Sequence, residues 1–144
     1  MKKVLILAYD FPPFTSVGGL RPYGWYSHLK EFGITPIVIT RQWKNTGDNV
    51  KDYISKSESD KTIFEETDLG LIIKTPYNPT LGNKIFSKYG NSKYVFIRKL
   101  FTAINEYLQY VLPLGTKREL YKEAKKYLTN HKVDAIIATG DPFI

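Results

Sequence analysis

The sequence predicts an α/β protein built on a doubly wound parallel sheet. Four short apolar runs carry this prediction, and three of them lack the polar alternation of a half-exposed strand. Continuous Val, Ile and Leu runs are typical of strands that are covered on both faces, as in a parallel sheet. Helical patterns lie between the runs, so we expect the strand order 3-2-1-4 with right-handed crossovers. The four runs are residues 4–8, 36–40, 71–74 and 135–139.

Length and composition favour one globular domain. The 144 residues suffice for a sizeable core, and 42% hydrophobic with 24% charged residues is ordinary for a folded chain. The sequence has no cysteine, which excludes disulfides and thiolate metal sites and fits a reducing compartment. The apolar run after Met1 is too short for a signal peptide, and no stretch approaches the length of a membrane-spanning helix. We therefore expect a cytoplasmic protein, and we expect neither a metal site nor a cofactor.

The first helix is predicted between the first two runs. Pro22, Trp25, Leu29 and Phe32 recur on one helical face. Pro22 suits a first turn, because its missing N–H would be unpaired there anyway. Gly33 is a typical helix end. The sequence therefore predicts a helix that starts near Pro22 and stops at Gly33.

The middle of the chain predicts little regular structure. Residues 43–69 are polar without a clear period, which indicates a long excursion with one helical turn around Val50–Ile54. Residues 78–91 are rich in Gly, Asn, Pro and Ser and predict a loop.

Two further helices are predicted before the last run. An apolar stripe repeats over four turns until Pro113, and its spacing favours core packing. A second stripe follows Thr116 and Glu119, which match a capping box at the start of a helix. The first stripe comprises Ile97, Phe101, Ile104, Leu108 and Val111, and the second comprises Leu120, Ala124, Tyr127 and Leu128.

The loop after residue 8 is the first candidate site, because ligands of such folds bind beyond the carboxyl ends of the strands. Gly18 and Gly19 precede the predicted helix, and glycines let a ligand approach the backbone. Helical N–H groups and Arg21 would favour a phosphate. Alternatively, the two glycines serve only a tight turn. The spacing is neither that of a dinucleotide fingerprint nor that of a Walker A loop.

Both ends of the chain resemble one family. Residues 4–13 read Val-Leu-Ile-Leu-Ala-Tyr-Asp-Phe-Pro-Pro, and Gly18, Gly19 and Arg21 follow at the family's spacing. Residues 133–143 read Val-Asp-Ala-Ile-Ile-Ala-Thr-Gly-Asp-Pro-Phe, with Asp141 where a proline is common. Together these stretches resemble the N-terminal domain of family-four glycosyltransferases of the GT-B fold, from end to end of the chain.

The resemblance implies a division of labour between two Rossmann-like domains. The N-terminal domain mainly binds the acceptor, and its glycine loop approaches the diphosphate of the donor. The C-terminal domain binds the sugar nucleotide and carries paired glutamates. The resemblance thus implies that residues 1–144 form one Rossmann-like domain, a fragment of the acceptor-side half of a retaining glycosyltransferase, with the donor domain absent. The catalytic residue stays unassigned, and we expect this segment alone to be inactive.

The resemblance also assigns roles to single residues. Gly18 and Gly19 would approach the donor phosphates, and Arg21 would contact a phosphate or the acceptor. Asp10 either contacts an acceptor hydroxyl or caps local N–H groups. Gly140 and Asp141, in the loop after the last run, either contact the acceptor or a phosphate, or serve the turn.

Two other functions stay open. The chain is alternatively a non-catalytic module that binds a phosphate ligand or a sugar nucleotide, or a fragment of a GT-B epimerase. An epimerase would need acidic and histidine groups around the sugar, which this segment does not show. The aromatic residues follow helical stripes, which favours core packing over base stacking, so we expect no nucleic-acid partner.

The basic residues of the later part of the chain and its last apolar run predict two further contacts. Residues 84–132 hold eleven Lys and Arg against three Glu. This basic stretch either docks on an anionic membrane surface, where a lipid-linked acceptor would reside, or forms ordinary solvated helix faces. The last run would leave an open strand edge, so we expect self-association through residues 135–144.

Overall fold

The computed structural model describes residues 1–44, 50–112 and 115–139. Strands and helices alternate along most of the chain. The strands are β1 (Lys2–Ala8), β2 (Ile34–Arg41), β3 (Ile63–Glu66), β4 (Leu71–Thr75) and β5 (Ala135–Thr139). The helices are α1 (Val17–His28), α2 (Val50–Ile54), α3 (Leu81–Tyr89), α4 (Val95–Val111) and α5 (Arg118–Asn130), and a 3-10 turn (Leu29–Phe32) follows α1.

The strands form one five-stranded mixed sheet in the order β3-β4-β2-β1-β5. Strands β4, β2, β1 and β5 are parallel, and β3 pairs antiparallel with β4. All four predicted runs are strands, and their relative order is the predicted 3-2-1-4. The α/β class is therefore confirmed, and the sheet with its flanking helices is compatible with a Rossmann-like fold.

Two hydrophobic clusters, one on each face of the sheet, form the core. Because side chains alternate along a strand, Leu5 faces one cluster while Val4 and Ile6 face the other. Helix α5 covers the first cluster with Leu120, Ala124 and Tyr127, as its stripe predicts. The fourth residue of that stripe, Leu128, is exposed instead. Helix α1 covers the second cluster through Tyr26.

Helix α1 begins five residues earlier than predicted. Ser16 is its N-cap, and the Ser16 Oγ accepts a hydrogen bond from the Gly19 N–H at 2.9 Å. Gly18 and Gly19 therefore lie in the first turn, and Pro22 lies inside the helix, where it is buried. The apolar stripe used for the prediction begins at Pro22. It therefore could not reveal the first turn of the helix, which Ser16 caps. Gly33 ends the segment in the left-handed conformation, with φ 71°, as predicted.

The predicted excursion contains the expected helical turn, α2, and also a strand that the sequence did not predict. All four residues of β3 are exposed, so β3 carries no apolar pattern. A turn pairs β3 with β4: the Thr67 N–H donates to the Gly70 carbonyl at 2.9 Å. A Cβ on Gly70 would lie 2.1 Å from the Pro36 carbonyl oxygen, so only glycine fits this turn.

The predicted loop over residues 78–91 is wrong, because α3 occupies most of it. Thr80 caps this helix and accepts a hydrogen bond from the Asn83 N–H at 3.3 Å. Gly82, which favoured a loop in the sequence, serves close helix packing instead. A Cβ on Gly82 would lie 2.7 Å from the Thr102 Oγ1 of α4.

Two predictions about the later elements also need correction. The stripe of α4 is largely exposed rather than packed in the core. The capping box does not form, because α5 starts at Arg118 with Lys117 as N-cap and no side-chain cap bond. A turn through Gly115, whose φ is 95°, sets this later start, and the Arg118 N–H donates to the Gly115 carbonyl.

Strand β5 is largely uncovered. Ala135, Ile136 and Ala138 are exposed, and within the described ranges β5 pairs only with β1. Among the described residues this edge of the sheet is open, as expected, whereas self-association stays a prediction. Across the described ranges, none of the helices combines the length and apolar character that crossing a membrane requires.

Candidate functional site

The carboxyl ends of β1, β2 and β4 meet at one edge of the sheet. The Tyr9 carbonyl accepts hydrogen bonds from the Thr40 hydroxyl at 3.3 Å and from the Trp43 Nε1 at 3.1 Å. The Gln42 N–H donates to the Thr75 carbonyl at 2.9 Å. Hydrogen bonds therefore join the three strand ends at the edge from which the loop between β1 and α1 starts.

Asp10, Ser16 and Gly19 form a chain of hydrogen bonds in this loop. The Ser16 hydroxyl donates to Asp10 Oδ2 at 2.9 Å and accepts from the Gly19 N–H at 2.9 Å. Asp10 thus holds the residue that caps α1, rather than capping N–H groups directly. No described residue donates a hydrogen bond to the other carboxylate oxygen of Asp10. Asp10 as a whole is half-buried.

Gly18 and Gly19 are not required by the chain's own geometry. Neither has a positive φ, whereas Gly33 does. A Cβ on Gly18 would lie 3.4 Å from Asp10 Oδ2, and one on Gly19 would lie 3.4 Å from the Asp10 carbonyl, both ordinary contacts. A tight turn that needs glycine is therefore not the reason for this pair. Gly18 is exposed at this turn, whereas Gly19 is buried.

The N-terminus of α1 still offers N–H groups, although fewer than the sequence suggested. Ser16 takes the Gly19 N–H, but no other described residue accepts from the N–H groups of Val17 or Gly18. Arg21 is exposed one turn further along. Side chains of a helix tilt toward its N-terminus, so Arg21 can extend toward Gly18.

The second predicted loop cannot be placed. Gly140 and Asp141 lie outside the described residues. Thr139, which ends β5, is the register partner of Ala8 in the parallel pair of β5 and β1.

A buried arginine lies at the same edge, and sequence reasoning missed it. Arg41 ends β2 and is 2% exposed. Its Nη1 donates to the Tyr9 hydroxyl at 3.0 Å and to the Tyr53 carbonyl at 2.7 Å, and its Nη2 donates to the Ser55 carbonyl at 3.1 Å. No carboxylate of the described residues forms an ion pair with it, and its Nε is buried without a partner.

Aromatic rings enclose the Arg41 guanidinium. The guanidinium carbon lies 3.5 Å from the Tyr77 ring centroid and 4.0 Å from that of Trp43. The electron-rich ring faces and the carbonyls offset part of the cost of burying the charge. The sequence signal was a charged residue that directly continues a buried apolar strand and precedes a tryptophan.

The aromatic rings connect this arginine to the β1–α1 loop. Phe14 of the loop stacks on Trp43 with ring centroids 4.0 Å apart. Tyr53 of α2 touches both rings. Burial raises the pKa of Tyr53, and the nearby Asp10 carboxylate raises it further. The Tyr53 phenol is therefore protonated at neutral pH.

Burial also raises the pKa values of Tyr9 and Tyr77, in both cases against the opposing effect of the Arg41 charge. Both phenols are therefore neutral near pH 7. The described residues contain no cluster of His, Asp and Glu that could hold a metal ion. One cavity of about 390 Å³ lies between α3 and α4, and a groove of about 480 Å³ lies along α5. Neither is lined by the predicted site residues.

The arrangement can bind an anion and an alcohol side by side. The α1 N-terminus and Arg21 attract negative charge, while the free Asp10 oxygen accepts from a hydroxyl. Comparison of this chain with family models, with curated proteins and with solved structures finds no match.

Proposed function

We propose that residues 1–144 are the acceptor-side part of a retaining glycosyltransferase of the GT-B fold. In this proposal the enzyme transfers a sugar from a nucleotide donor to a glycan or lipid-linked acceptor. The observation that carries the proposal is the pair Gly18 and Gly19, which lies at the helix N-terminus beyond the central β1. The chain's own turn and packing do not require either glycine. The strand order and the resemblance of both chain ends support the same proposal.

The proposed roles follow from the local chemistry. The donor diphosphate would approach the N–H groups of Val17 and Gly18, where a helix dipole and exposed backbone favour an anion. Arg21 would bind a phosphate oxygen through its guanidinium. Asp10 would orient an acceptor hydroxyl through its free carboxylate oxygen. No residue is assigned here as the catalytic base.

The decisive experiment compares glycine substitutions in one helix. Nucleoside diphosphates and sugar nucleotides are titrated into the chain, and binding is followed by calorimetry or by amide chemical shifts. We expect Gly18→Ala and Arg21→Ala each to weaken binding at least about tenfold. Gly24→Ala is the matched control, since a Cβ there would meet nothing within 4 Å. Both glycine variants should keep or raise the unfolding temperature, because alanine favours helix.

Two outcomes would contradict the proposal. Binding that survives Gly18→Ala unchanged would show that the α1 N-terminus is not the site. Inorganic phosphate that binds as tightly as any nucleotide would favour the alternative of a phosphate-binding module, since that ligand offers no base or sugar to recognise.

A further inference from the structure

Flat side chains form a stack at the carboxyl edge of the sheet. The Phe14 ring lies against the Trp43 indole, with centroids 4.0 Å apart and planes 14° apart. The Arg41 guanidinium carbon lies 4.0 Å from the same indole centroid and 3.5 Å from the Tyr77 centroid. These are contact distances, so a ring and a guanidinium cannot share one face of the indole. Both faces of Trp43 are therefore covered, one by Phe14 and the other by Arg41.

Tyr53 borders this stack and is open to solvent. Its ring centroid lies 5.6 Å from that of Phe14 and 5.4 Å from that of Trp43, and both contacts are tilted rather than stacked. Tyr53 is 40% exposed. The other two tyrosines that contact Arg41, Tyr9 and Tyr77, are buried, and so is Phe14. Among the described rings around Trp43, Tyr53 is therefore the one that a ligand can reach.

Asp10 brings a carboxylate to the same part of the edge. The Ser16 hydroxyl donates to its Oδ2 at 2.9 Å, and no described residue donates to its Oδ1. Phe14 follows Asp10 in the same loop and contacts the Tyr53 ring. The Asp10 carboxylate is close enough to the Tyr53 phenol to raise the pKa of that phenol. The edge thus combines an exposed aromatic ring, its hydroxyl and a carboxylate oxygen.

This combination suits a neutral sugar. One face of a pyranose ring presents C–H groups, which pack on an aromatic ring, while its hydroxyls surround the rim. An ionised carboxylate only accepts hydrogen bonds, so Asp10 pairs with a hydroxyl, and the phenol of Tyr53 donates or accepts. The negative charge of Asp10 repels a phosphate. The chemistry beside Tyr53 therefore differs from that of the α1 N-terminus, which favours an anion.

We propose that an uncharged pyranose unit of the acceptor stacks on the ring of Tyr53, with one of its hydroxyls donating to Asp10 Oδ1. This inference rests on the proposed function, because it describes the acceptor site of that enzyme. It adds Tyr53 as a specificity-determining residue. It also selects, among glycan and lipid-linked acceptors, those that present a neutral sugar at the reacting end.

Saturation-transfer NMR with small glycosides tests the stacking surface. The probes are the methyl glycosides of glucose, galactose, mannose and N-acetylglucosamine, each titrated into the chain. We expect at least one to bind, with the strongest transfer to its ring C–H protons. Tyr53→Leu should weaken that binding at least about fivefold, because the aliphatic side chain has no ring face. Tyr53→Phe keeps the ring and should stay within about threefold of the unaltered chain.

Two controls separate stacking from folding. Tyr121→Leu is the same change at an exposed tyrosine of α5 and should leave glycoside binding unchanged. Arg41 donates to the main-chain carbonyl of Tyr53, so Tyr53→Leu keeps that hydrogen bond. Urea denaturation verifies that each variant is folded. Asp10→Asn should also weaken glycoside binding, because a neutral amide oxygen is a poorer acceptor than a carboxylate oxygen.

Nucleotide binding distinguishes a failure of this inference from a failure of the proposed function. If no glycoside binds, or if Tyr53→Leu binds glycosides as the unaltered chain does, the stacking surface is wrong, whereas nucleotide binding that depends on Gly18 still supports the enzyme. If glycosides bind through Tyr53 but no nucleotide binds, the sugar site stands and the glycosyltransferase proposal fails. Uridine or adenosine binding that Tyr53→Leu abolishes, without any glycoside binding, would assign the ring to a base and overturn the inference.

Discussion

Arg41 joins three parts of the chain at the carboxyl edge of the sheet. Its guanidinium binds the Tyr9 hydroxyl of the loop after β1 and the carbonyls of Tyr53 and Ser55 around α2, while its own residue ends β2. Its planar fork satisfies acceptors in several directions at once. Arg41 therefore organises the edge from which the candidate site is built.

Replacing Arg41 by lysine should destabilise the fold. A lysine keeps the charge but cannot satisfy the separated acceptors, so at least one carbonyl is left buried and unpaired. We expect a loss of about 1–3 kcal/mol in the free energy of unfolding. Urea denaturation measures it. Arg21→Lys is the same change at an exposed position and should cost less than about 0.5 kcal/mol. Equal stability of the two variants would contradict the role of Arg41.

Tyr9 should make stability decrease at high pH. Burial raises its pKa from the ordinary value of 10.0, so the folded chain retains a proton that the unfolded chain loses. The stabilisation is complete below about pH 10 and is lost as the pH rises further. Unfolding in urea across pH 9 to 11 should show this decline. Tyr9→Phe should be less stable at pH 7 yet show a shallower decline than the unaltered chain, whereas the exposed Tyr121→Phe should leave the slope unchanged.

At the scale of elements, the start of α1 depends on one side chain. The Ser16 hydroxyl satisfies the Gly19 N–H and also binds Asp10. Ser16→Ala should cost about 1 kcal/mol of unfolding free energy, the usual effect of losing an N-cap. Ser87→Ala, at an exposed position inside α3, should be neutral or stabilising. If chemical denaturation gives Ser16→Ala the same unfolding free energy as Ser87→Ala, another group caps the helix.

Strand β5 is the element whose exposure predicts self-association. Ile136 is 51% exposed on a strand with an open edge among the described residues. Two such edges can pair through their unpaired backbone groups. Light scattering over a concentration series should show association of the unaltered chain, and Ile136→Lys should abolish it. Ile63→Lys on the exposed β3 is the control and should leave association intact. A monomer at all concentrations would contradict the prediction.

At the scale of the molecule, residues 1–144 should bind without turnover. In the proposed enzyme the paired glutamates and most donor contacts belong to a second domain, so this segment alone lacks the groups that break the donor bond. Incubation with a panel of sugar nucleotides should release no nucleoside diphosphate. Release that persists through repurification and disappears in Gly19→Ala would contradict this expectation, because it would place a complete active site within these residues.

Local sequence patterns were enough to predict the parallel strands, the buried face of α5 and the helix end at Gly33. The four apolar runs predicted the parallel strands, and β1, β2 and β4 contribute residues to the clusters on both faces of the sheet, as such runs indicate. Strand β5 also forms from an apolar run, although it is largely uncovered. The stripe Leu120, Ala124 and Tyr127 likewise predicted the face that α5 buries. The Gly33 helix end followed from its residue type, because glycine adopts a positive φ without strain. For the site, the sequence indicated the β1–α1 loop and the residues Asp10, Gly18, Gly19 and Arg21.

Contacts between distant residues decided the rest. Strand β3 forms although its residues are exposed, because backbone pairing with β4 needs no apolar pattern. Gly82 lies in α3, where a Cβ would meet Thr102 of α4. The two residues are twenty positions apart, so local periodicity does not reveal this contact. The stripe of α4 predicted an amphipathic helix correctly but could not say which side α3 would take. The cage around Arg41 likewise assembles residues 9, 43, 53 and 77. The local residue pattern determines which face of a segment can be buried, because that depends on its own side chains. Only the tertiary structure determines which residues that face contacts, because those residues are distant in the sequence.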